Sequence, residues 1–213
     1  MEYTIKNYAV KSFKDILDDR IYSDELKLKY CTQISDDVRD KLAMKKKSHT
    51  IFVIVALFSN KGFCSANFRS NFSFKFDYNV IVPYFNENWG AVSSIFMYDL
   101  DARFEPQKEV FRPYKVPIEG LMDLVLHKHL DGKKAKSEMI INKAVENILD
   151  DMYIQMKKIL INFNYGIFAY VTKKGNGCVS SRSWHLCSAD GSCFQTYSNS
   201  EFFSVVHVVG FAK

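Results

Sequence analysis

Side chains that could ligate a metal ion concentrate in one stretch of the chain. Cys178, His185, Cys187 and Cys193 lie within sixteen residues of one another. Zinc sites favour paired ligands two to four residues apart on a turn. Cys178 and Cys187 instead lie nine residues apart on one predicted strand, so that their side chains face opposite sides of the sheet. We therefore expect no metal ion and no other cofactor.

Candidates for acid–base catalysis do not converge either. Asp36-Asp37 and Asp150-Asp151 are adjacent pairs on predicted helices, where neighbouring side chains diverge by about 100°. His127 and His129 lie two residues apart on a predicted helix and do not share a face. We expect these side chains to be solvated and the chain not to be an enzyme. Titratable groups that meet in a cleft would revive the enzyme hypothesis.

The composition is that of a folded globular protein. The 213 residues are 47% hydrophobic and 25% charged, and a chain of this length is long enough for two domains. The longest apolar run, residues 51–58, is about half as long as a membrane-spanning helix. Charged side chains interrupt the first twenty residues, which excludes a recognisable secretory signal. Because five cysteines without an export signal indicate reduced thiols, we expect a cytoplasmic protein.

The charge balance leaves the class of partner open. A net charge of +5, from 29 basic and 24 acidic residues, permits an acidic partner without requiring one. Lysines cluster at residues 45–47 and again at residues 133, 134 and 136. Each cluster lies between predicted elements, so a solvated loop explains it, and contact with nucleic acid is the alternative.

An ungapped repeat with a spacing of 113 residues organises the chain. Nine residues have an identical counterpart 113 positions later, and the apolar pattern around them is repeated as well. The nine pairs are Ile54/Ile167, Ala56/Ala169, Gly62/Gly175, Arg69/Arg182, Ser70/Ser183, Asp77/Asp190, Tyr84/Tyr197, Asn86/Asn199 and Val92/Val205. The sequence therefore predicts a tandem duplication.

Each half of the chain shows the same order of elements, two helices and then four strands. Apolar residues at helical spacing predict the helices, near residues 10–17, 30–42, 118–125 and 141–156. Runs rich in Val, Ile, Phe and Tyr predict the strands, near residues 50–59, 63–74, 79–85, 89–98, 164–173, 177–187, 192–198 and 202–212. Two helices that cover one face of an antiparallel meander form an α+β unit.

Residues 99–117 separate the two halves. They hold three of the four prolines, Pro106, Pro113 and Pro117, and proline disrupts the interior of helices and central strands. We therefore predict one unit at residues 1–98, a linker at residues 99–117 and a second unit at residues 118–213. An extended linker would span roughly 60 Å, which permits the two halves to pair within one chain, and pairing between chains is the alternative.

The second half resembles the Tctex-type dynein light chains, and the first half matches more loosely. In the second half the matching segments are Lys174-Gly175-Asn176-Gly177, a Ser-Ser strand that ends at Trp184, Asp190-Gly191-Ser192-Cys193, Ser198-Asn199 and Val209-Gly210-Phe211. In the first half they are Gly62, Asp77, Asn86 and the apolar strand at residues 92–97. The resemblance covers nearly the whole chain.

Proteins of this family are homodimers whose protomers exchange a strand, and they bind an extended segment of the dynein intermediate chain beside their sheets. The resemblance therefore implies two tandem Tctex-like α+β units packed as an intramolecular pseudo-dimer. It implies a non-catalytic subunit in the cytoplasm, on the microtubule cytoskeleton or in the ciliary axoneme, without a membrane. The implied partner is a dynein intermediate chain, another cytoskeletal or axonemal protein, or another light chain.

Strand addition is the binding chemistry that the resemblance implies. The resemblance also places the exposed edge on the second strand of each half. Aromatic and arginine side chains dominate interface energetics. The candidate peptide-binding residues are Asn67, Arg69, Phe72, Phe74, Ser180, Arg182 and Trp184. For Phe72 and Trp184 the alternative is a place in the core or between the halves. The rival function is nucleic-acid binding, in which aromatic strand faces stack bases and the lysine clusters follow the backbone.

Overall fold

The computed structural model describes residues 2–72, 78–99, 109–184, 187 and 189–212. This part of the chain is α+β, as predicted. Its four α-helices are α1 (Glu2–Leu17), α2 (Lys27–Lys45), α3 (Lys115–Leu130) and α4 (Glu138–Ile159). Its eight strands are β1 (His49–Ser59), β2 (Cys64–Ser70), β3 (Tyr78–Phe85), β4 (Trp89–Asp99), β5 (Phe163–Lys173), β6 (Gly177–Trp184), β7 (Gly191–Ser198) and β8 (Phe202–Ala212).

The strands form two four-stranded antiparallel sheets that do not follow the two halves of the sequence. One sheet has the order β3-β4-β1-β6 and the other has the order β2-β5-β8-β7. Each sheet therefore takes three strands from one half and its last strand from the other half. The expectation that the four strands of each half form their own sheet needs this correction. The strand patterns could not reveal the exchange, because β2 and β6 occupy the same place in the repeat and suit either sheet.

The first compact unit consists of α1, α2 and the sheet that contains β6. Its core lies between the helices and one face of that sheet. Trp89 is fully buried there, and its indole N–H donates a hydrogen bond of 2.8 Å to the C=O of Arg20. The helices contribute residues three or four apart, among them Ile5, Ala9, Phe13, Ile34, Val38 and Leu42.

The second compact unit consists of α3, α4 and the sheet that contains β2. Helix α4 buries a stripe at the spacing that the sequence predicts, formed by Ile141, Val145, Ile148, Met152 and Met156. Burying apolar side chains stabilises a fold by about 25 cal/mol per Å² removed from water. This packing, more than helix propensity, therefore holds α4 in place.

Part of the predicted linker belongs to the second unit. Phe111 is buried, its N–H donates to the C=O of Ala189 at 2.9 Å, and its ring lies where side chains at Gly191 and Gly210 would clash. Helix α3 begins at Lys115 and includes Pro117 in its first turn. Proline is tolerated there because the first N–H groups of a helix have no intrahelical acceptor. Pro106 lies outside the described residues.

The central strands of both sheets are buried on both faces. In β1 every residue from His49 to Phe58 is buried, and β5 and β8 are nearly as inaccessible. Their continuous apolar sequences explain this pattern, since a strand with one solvated face would alternate with polar residues. Within the described part of the chain, no helix combines the length and apolar character needed to cross a bilayer.

Candidate functional site

The two predicted binding strands, β2 and β6, are edge strands. β2 pairs with β5, β6 pairs with β1, and each stands at the end of its sheet. An edge strand presents a row of N–H and C=O groups that an extended peptide can join. The other edge of the first unit, β3, contains Pro83, which supplies no N–H for such pairing. In the first unit the exchanged strand β6 is therefore the better candidate.

Hydrogen bonds at both ends of β2 show which backbone groups point away from its sheet. The C=O of Phe63 accepts from the N–H of Lys173 at 3.3 Å, and the N–H of Asn71 donates to the C=O of Tyr165 at 3.1 Å. Bonded residues alternate in an antiparallel pair. The backbone groups that turn outward are therefore those of Cys64, Ala66, Phe68 and Ser70.

The same alternation applies to β6. The N–H of Ser59 donates to the C=O of Asn176 at 3.2 Å, which starts the bonded pairs between β1 and β6. The backbone groups of β6 that turn outward are those of Gly177, Val179, Ser181 and Ser183. Each edge therefore turns the backbone groups of four residues outward, although the N–H of Phe68 already donates to Oδ1 of Asn67 and the C=O of Ser181 already accepts from Nη1 of Arg182.

Arg69 and Arg182, predicted as anchors for a partner, are both bound to helices. Nη2 and Nε of Arg69 donate to Oδ1 of Asp150 on α4, at 2.8 and 3.2 Å. Nε of Arg182 donates to Oδ1 of Asp36 on α2 at 2.8 Å. The two arginines are 113 residues apart and make the same contact in the two units. Each ties an exchanged strand to the second helix of the unit that receives it.

Asn67 and Ser180 occupy equivalent positions but have different environments. Asn67 is exposed, and its Oδ1 accepts a hydrogen bond of 2.8 Å from the outward N–H of Phe68. Ser180 is buried against α2, where its Oγ lies 3.1 Å from Oγ of Ser35 and 3.4 Å from Oγ1 of Thr32. Ser180 therefore closes the contact between β6 and α2, whereas Asn67 caps one group of an accessible edge.

A pair of cysteines continues the contact between β6 and α2. Cys178 of β6 and Cys31 of α2 are both buried, and the thiol of Cys31 donates to the C=O of Val55 at 3.1 Å. Burial raises the pKa of the Cys31 thiol, and a hydrogen bond with Cys178 raises it further. Both side chains therefore act as small core residues at this contact.

The aromatic candidates fall into different environments. Phe72 is buried, and its ring meets that of Phe211 edge-on at a centroid distance of 5.5 Å. The alternative of a core position therefore describes Phe72 better than a binding role. Trp184 ends β6 opposite Ile51 and is 38% exposed. Phe74 lies outside the described residues.

Beside β2, helix α4 presents a stripe of side chains that the sequence analysis did not single out. The stripe borders a cavity of about 590 Å³ and consists of Glu138, Met139, Asn142, Lys143, Glu146 and Asn147. Its members recur three or four residues apart and lead along the helix to Asp150, the partner of Arg69. The available signal was this spacing, together with the apolar Met139 outside the buried stripe of α4. We call this set the α4 stripe.

The titratable pairs on the helices are less solvated than expected. His129 is buried, and its Nε2 lies 2.7 Å from Oδ2 of Asp151. Hydrogen bonds from Lys128 and His129 lower the pKa of Asp151. His127 is exposed, as predicted, and a hydrogen bond with Asp131 raises its pKa. Lys128 and His129 of α3 thereby bind Asp151 of α4, whereas Asp131 directly follows the helix that contains His127.

The cysteines and histidines do not form a metal site within the described residues. No group of three or more His, Cys, Asp or Glu side chains converges there in an arrangement that could hold a metal ion. Cys187 lies beyond the end of β6, so the prediction that it shares a strand with Cys178 is wrong. His185 lies outside the described residues.

Comparison with known proteins leaves the identity of the chain open. No protein family matches the chain, and a search of curated proteins finds no similar sequence.

Proposed function

We propose that this chain is a non-catalytic binding module in which an extended segment of a partner adds to the edge of an exchanged strand. The observation that carries this proposal is that β2 and β6 are edge strands, each supplied to its sheet by the other half of the sequence. Main-chain hydrogen bonds to such an edge provide affinity, and side chains beside it provide specificity.

The exchange also supports the Tctex-like identity of the module. Tctex-type light chains exchange one strand between two protomers, and here two repeats exchange one strand each within a single chain. The repeated Arg–Asp contact at Arg69–Asp150 and Arg182–Asp36 supports a duplicated origin. The function that follows is a dynein light-chain-like subunit, whose partner is a dynein intermediate chain or another cytoskeletal or axonemal protein.

Nucleic-acid binding through aromatic strand faces receives less support. That mechanism needs exposed rings on which bases stack. Phe52, Phe96, Phe168 and Tyr170 on the central strands are all buried. The exposed rings Phe85 of β3 and Phe194 of β7 belong to different sheets. The lysines at residues 133, 134 and 136 are exposed, but a charged loop alone supplies no stacking platform.

The experiment that tests strand addition removes one outward N–H from each edge. Ala66 and Val179 are equivalent positions whose N–H groups turn away from the sheets, so that Ala66→Pro and Val179→Pro leave the bonds to β5 and β1 in place. The tagged chain and both variants would capture partners from the cytosol of its source at two salt concentrations. Circular dichroism would confirm that the variants are folded.

Strand addition predicts that at least one proline variant loses the captured partner at least tenfold, because a proline interrupts the new ladder. Recovery of a dynein or axonemal subunit at both salt concentrations would support the light-chain function. Capture that survives in both folded variants would contradict strand addition. Capture of nucleic-acid-associated proteins that disappears at the higher salt concentration would favour the rival function.

A further inference from the structure

The two exchanged edges differ in how closely the neighbouring helix covers them. β6 is held to α2 by the buried side chains Cys178 and Ser180 and by Arg182. The equivalent positions in β2 are Ser65, which is half-buried, and Asn67 and Arg69, which are exposed. The neighbouring helix therefore covers the edge of β2 less closely than the edge of β6.

Helix α4 follows β2 along its length. Arg69, near the end of β2, is bound to Asp150. At the beginning of β2, Cys64 lies close enough to Glu138 for that carboxylate to add to the effect of burial, which raises the pKa of the thiol to about 12. The α4 stripe, from Glu138 to Asn147, therefore runs beside the same stretch of edge as the outward groups of Cys64, Ala66, Phe68 and Ser70.

The charges of the α4 stripe are available to a partner. Glu138 and Glu146 are exposed, and within the described residues neither forms an ion pair. Lys143 lies between them and is also exposed. Met139 is 75% exposed and offers an apolar contact at the same end as Glu138. A segment that lies here meets two carboxylates separated by one ammonium group.

The spacing of the two carboxylates matches an extended chain. Glu138 and Glu146 lie eight residues apart on one helix, which corresponds to about 12 Å along its axis. An extended chain advances about 3.3 Å per residue and turns every second side chain to the same face. Two side chains of a bound strand that are four residues apart would therefore reach both glutamates.

We propose that the groove between the edge of β2 and the α4 stripe is the binding site, and that it takes an extended segment with two basic side chains four residues apart. This inference rests on the proposed function of strand addition. It adds to it the choice of one edge over the other and the charge pattern of the partner. Glu138 and Glu146 bind the basic side chains, and the outward groups of Cys64, Ala66 and Ser70 bind the main chain.

Short palindromic peptides test the proposal, because a palindrome presents the same pattern in either strand direction. The first probe is TVKVSVKVT, with lysines four residues apart. The second is TVEVSVEVT, and the third is TVVKSKVVT, with lysines two residues apart. Each would be titrated into the isotope-labelled full chain, with amide chemical shifts recorded for β2 and β6. Binding constants would be obtained from the same titrations.

We expect the first peptide to bind about tenfold more tightly than either of the others, since two exposed ion pairs each contribute a few-fold. Shifts should appear at Cys64, Ala66, Phe68 and Ser70. The variant E138K/E146K should reverse the preference toward TVEVSVEVT. The matched control E25K/E87K makes the same change in net charge at two exposed glutamates of the first unit and should leave the preference unchanged.

The outcomes separate this inference from the proposed function. Shifts confined to Gly177, Val179, Ser181 and Ser183 would overturn the choice of groove while leaving strand addition intact. Equal binding of all three peptides at β2 would overturn the charge pattern in the same way. If no peptide perturbs either edge, both the inference and strand addition by such segments are contradicted.

Discussion

An equivalent arginine–aspartate pair holds β2 to α4 and β6 to α2. The next contact along each strand differs between the two units. Arg69–Asp150 and Arg182–Asp36 are the same contact made twice. Two residues earlier in each strand, Asn67 is exposed while Ser180 is buried among the hydroxyl groups of α2. Both repeats therefore have the arginine–aspartate pair that holds the exchanged strand to a helix. They differ at Asn67 and Ser180, where only the second side chain is covered by the helix.

The reason for the difference lies in the size and polarity of the facing side chains. Ser180 faces Ser35, and Cys178 approaches Cys31. Side chains of this size allow strand and helix to approach closely, and their hydroxyl groups satisfy each other inside the contact. In the second unit α4 carries the long, charged Glu146 four residues before Asp150, where α2 carries Thr32 four residues before Asp36, and such a side chain remains in water.

A second difference between the units lies within their sheets. We expect it to have the largest effect, which is on stability in acid. His207 of β8 is buried between two cross-strand neighbours, Phe168 and Phe194. The equivalent position in β4 of the first unit, 113 residues earlier, is Ser94, which does not titrate. Burial lowers the pKa of His207 to about 4. Acid should therefore destabilise the second unit before the first.

The direction of this change in stability with pH follows from proton binding. Between pH 6.5, the ordinary pKa of histidine, and pH 4 the unfolded chain binds a proton that the folded chain excludes. The free energy of unfolding should therefore fall by about 3 kcal/mol between pH 7 and pH 4 on account of His207. Urea denaturation across this range would measure the loss, and hydrogen exchange would show whether β5 and β8 lose protection before β1 and β4.

His207→Leu removes the titrating group and should flatten this pH dependence, even if the variant is less stable at pH 7. Ser94→Ala is the matched control in the first unit and should keep the wild-type slope. An unchanged slope in His207→Leu would show that other groups cause the acid sensitivity.

The contrast between the two edges predicts a smaller effect. Ser180→Leu places a large side chain in a closed contact and should lower the free energy of unfolding by about 2 kcal/mol. Asn67→Leu introduces the same side chain at an exposed position, where changes are usually within about 0.5 kcal/mol. Urea denaturation at pH 7 measures both. Equal losses would show that β2 and β6 are covered to the same extent.

Much of this fold follows from the amino-acid pattern. The apolar runs at residues 50–59 and 202–212 predict β1 and β8 almost to the residue, because buried strands have little tolerance for polar side chains. The buried face of α4, from Ile141 to Met156, is predicted equally well by the spacing of its apolar residues. Sheet membership does not follow, because β2 and β6 have equivalent patterns and either could complete either sheet.

The candidate site is predictable only in part. The strands that carry it can be located, but the roles of their side chains depend on partners far away in the sequence. Asp150 lies 81 residues from Arg69, and Asp36 lies 146 residues from Arg182. Without the exchange, both arginines look like free anchors, and Ser180 looks as accessible as Asn67. The proposed role of the α4 stripe can be recognised only when β2 is known to lie beside α4.

The smallest effect that we expect concerns the contact that the two units share. The side chains of Arg182 and Asp36 are 35% and 36% exposed, whereas those of Arg69 and Asp150 are 46% and 57% exposed. Because solvent screens the more exposed pair more strongly, double-mutant cycles with alanine should give a coupling of about 1 kcal/mol for Arg182–Asp36 and about half of that for Arg69–Asp150.

Arg39 also contacts Asp36 and therefore lowers the coupling that a double-mutant cycle of Arg182 and Asp36 would measure. Its guanidinium lies 3.0 Å from the same Oδ1 of Asp36, so that removal of Arg182 leaves the carboxylate with a cation. Repeating the cycle in Arg39→Ala should therefore raise the coupling between Arg182 and Asp36. Both couplings should shrink as salt is added, because partly exposed charges are screened. A larger coupling for Arg69–Asp150 would mean that β2, and not β6, is the more firmly held strand, and the comparison between the two edges would have to be reversed.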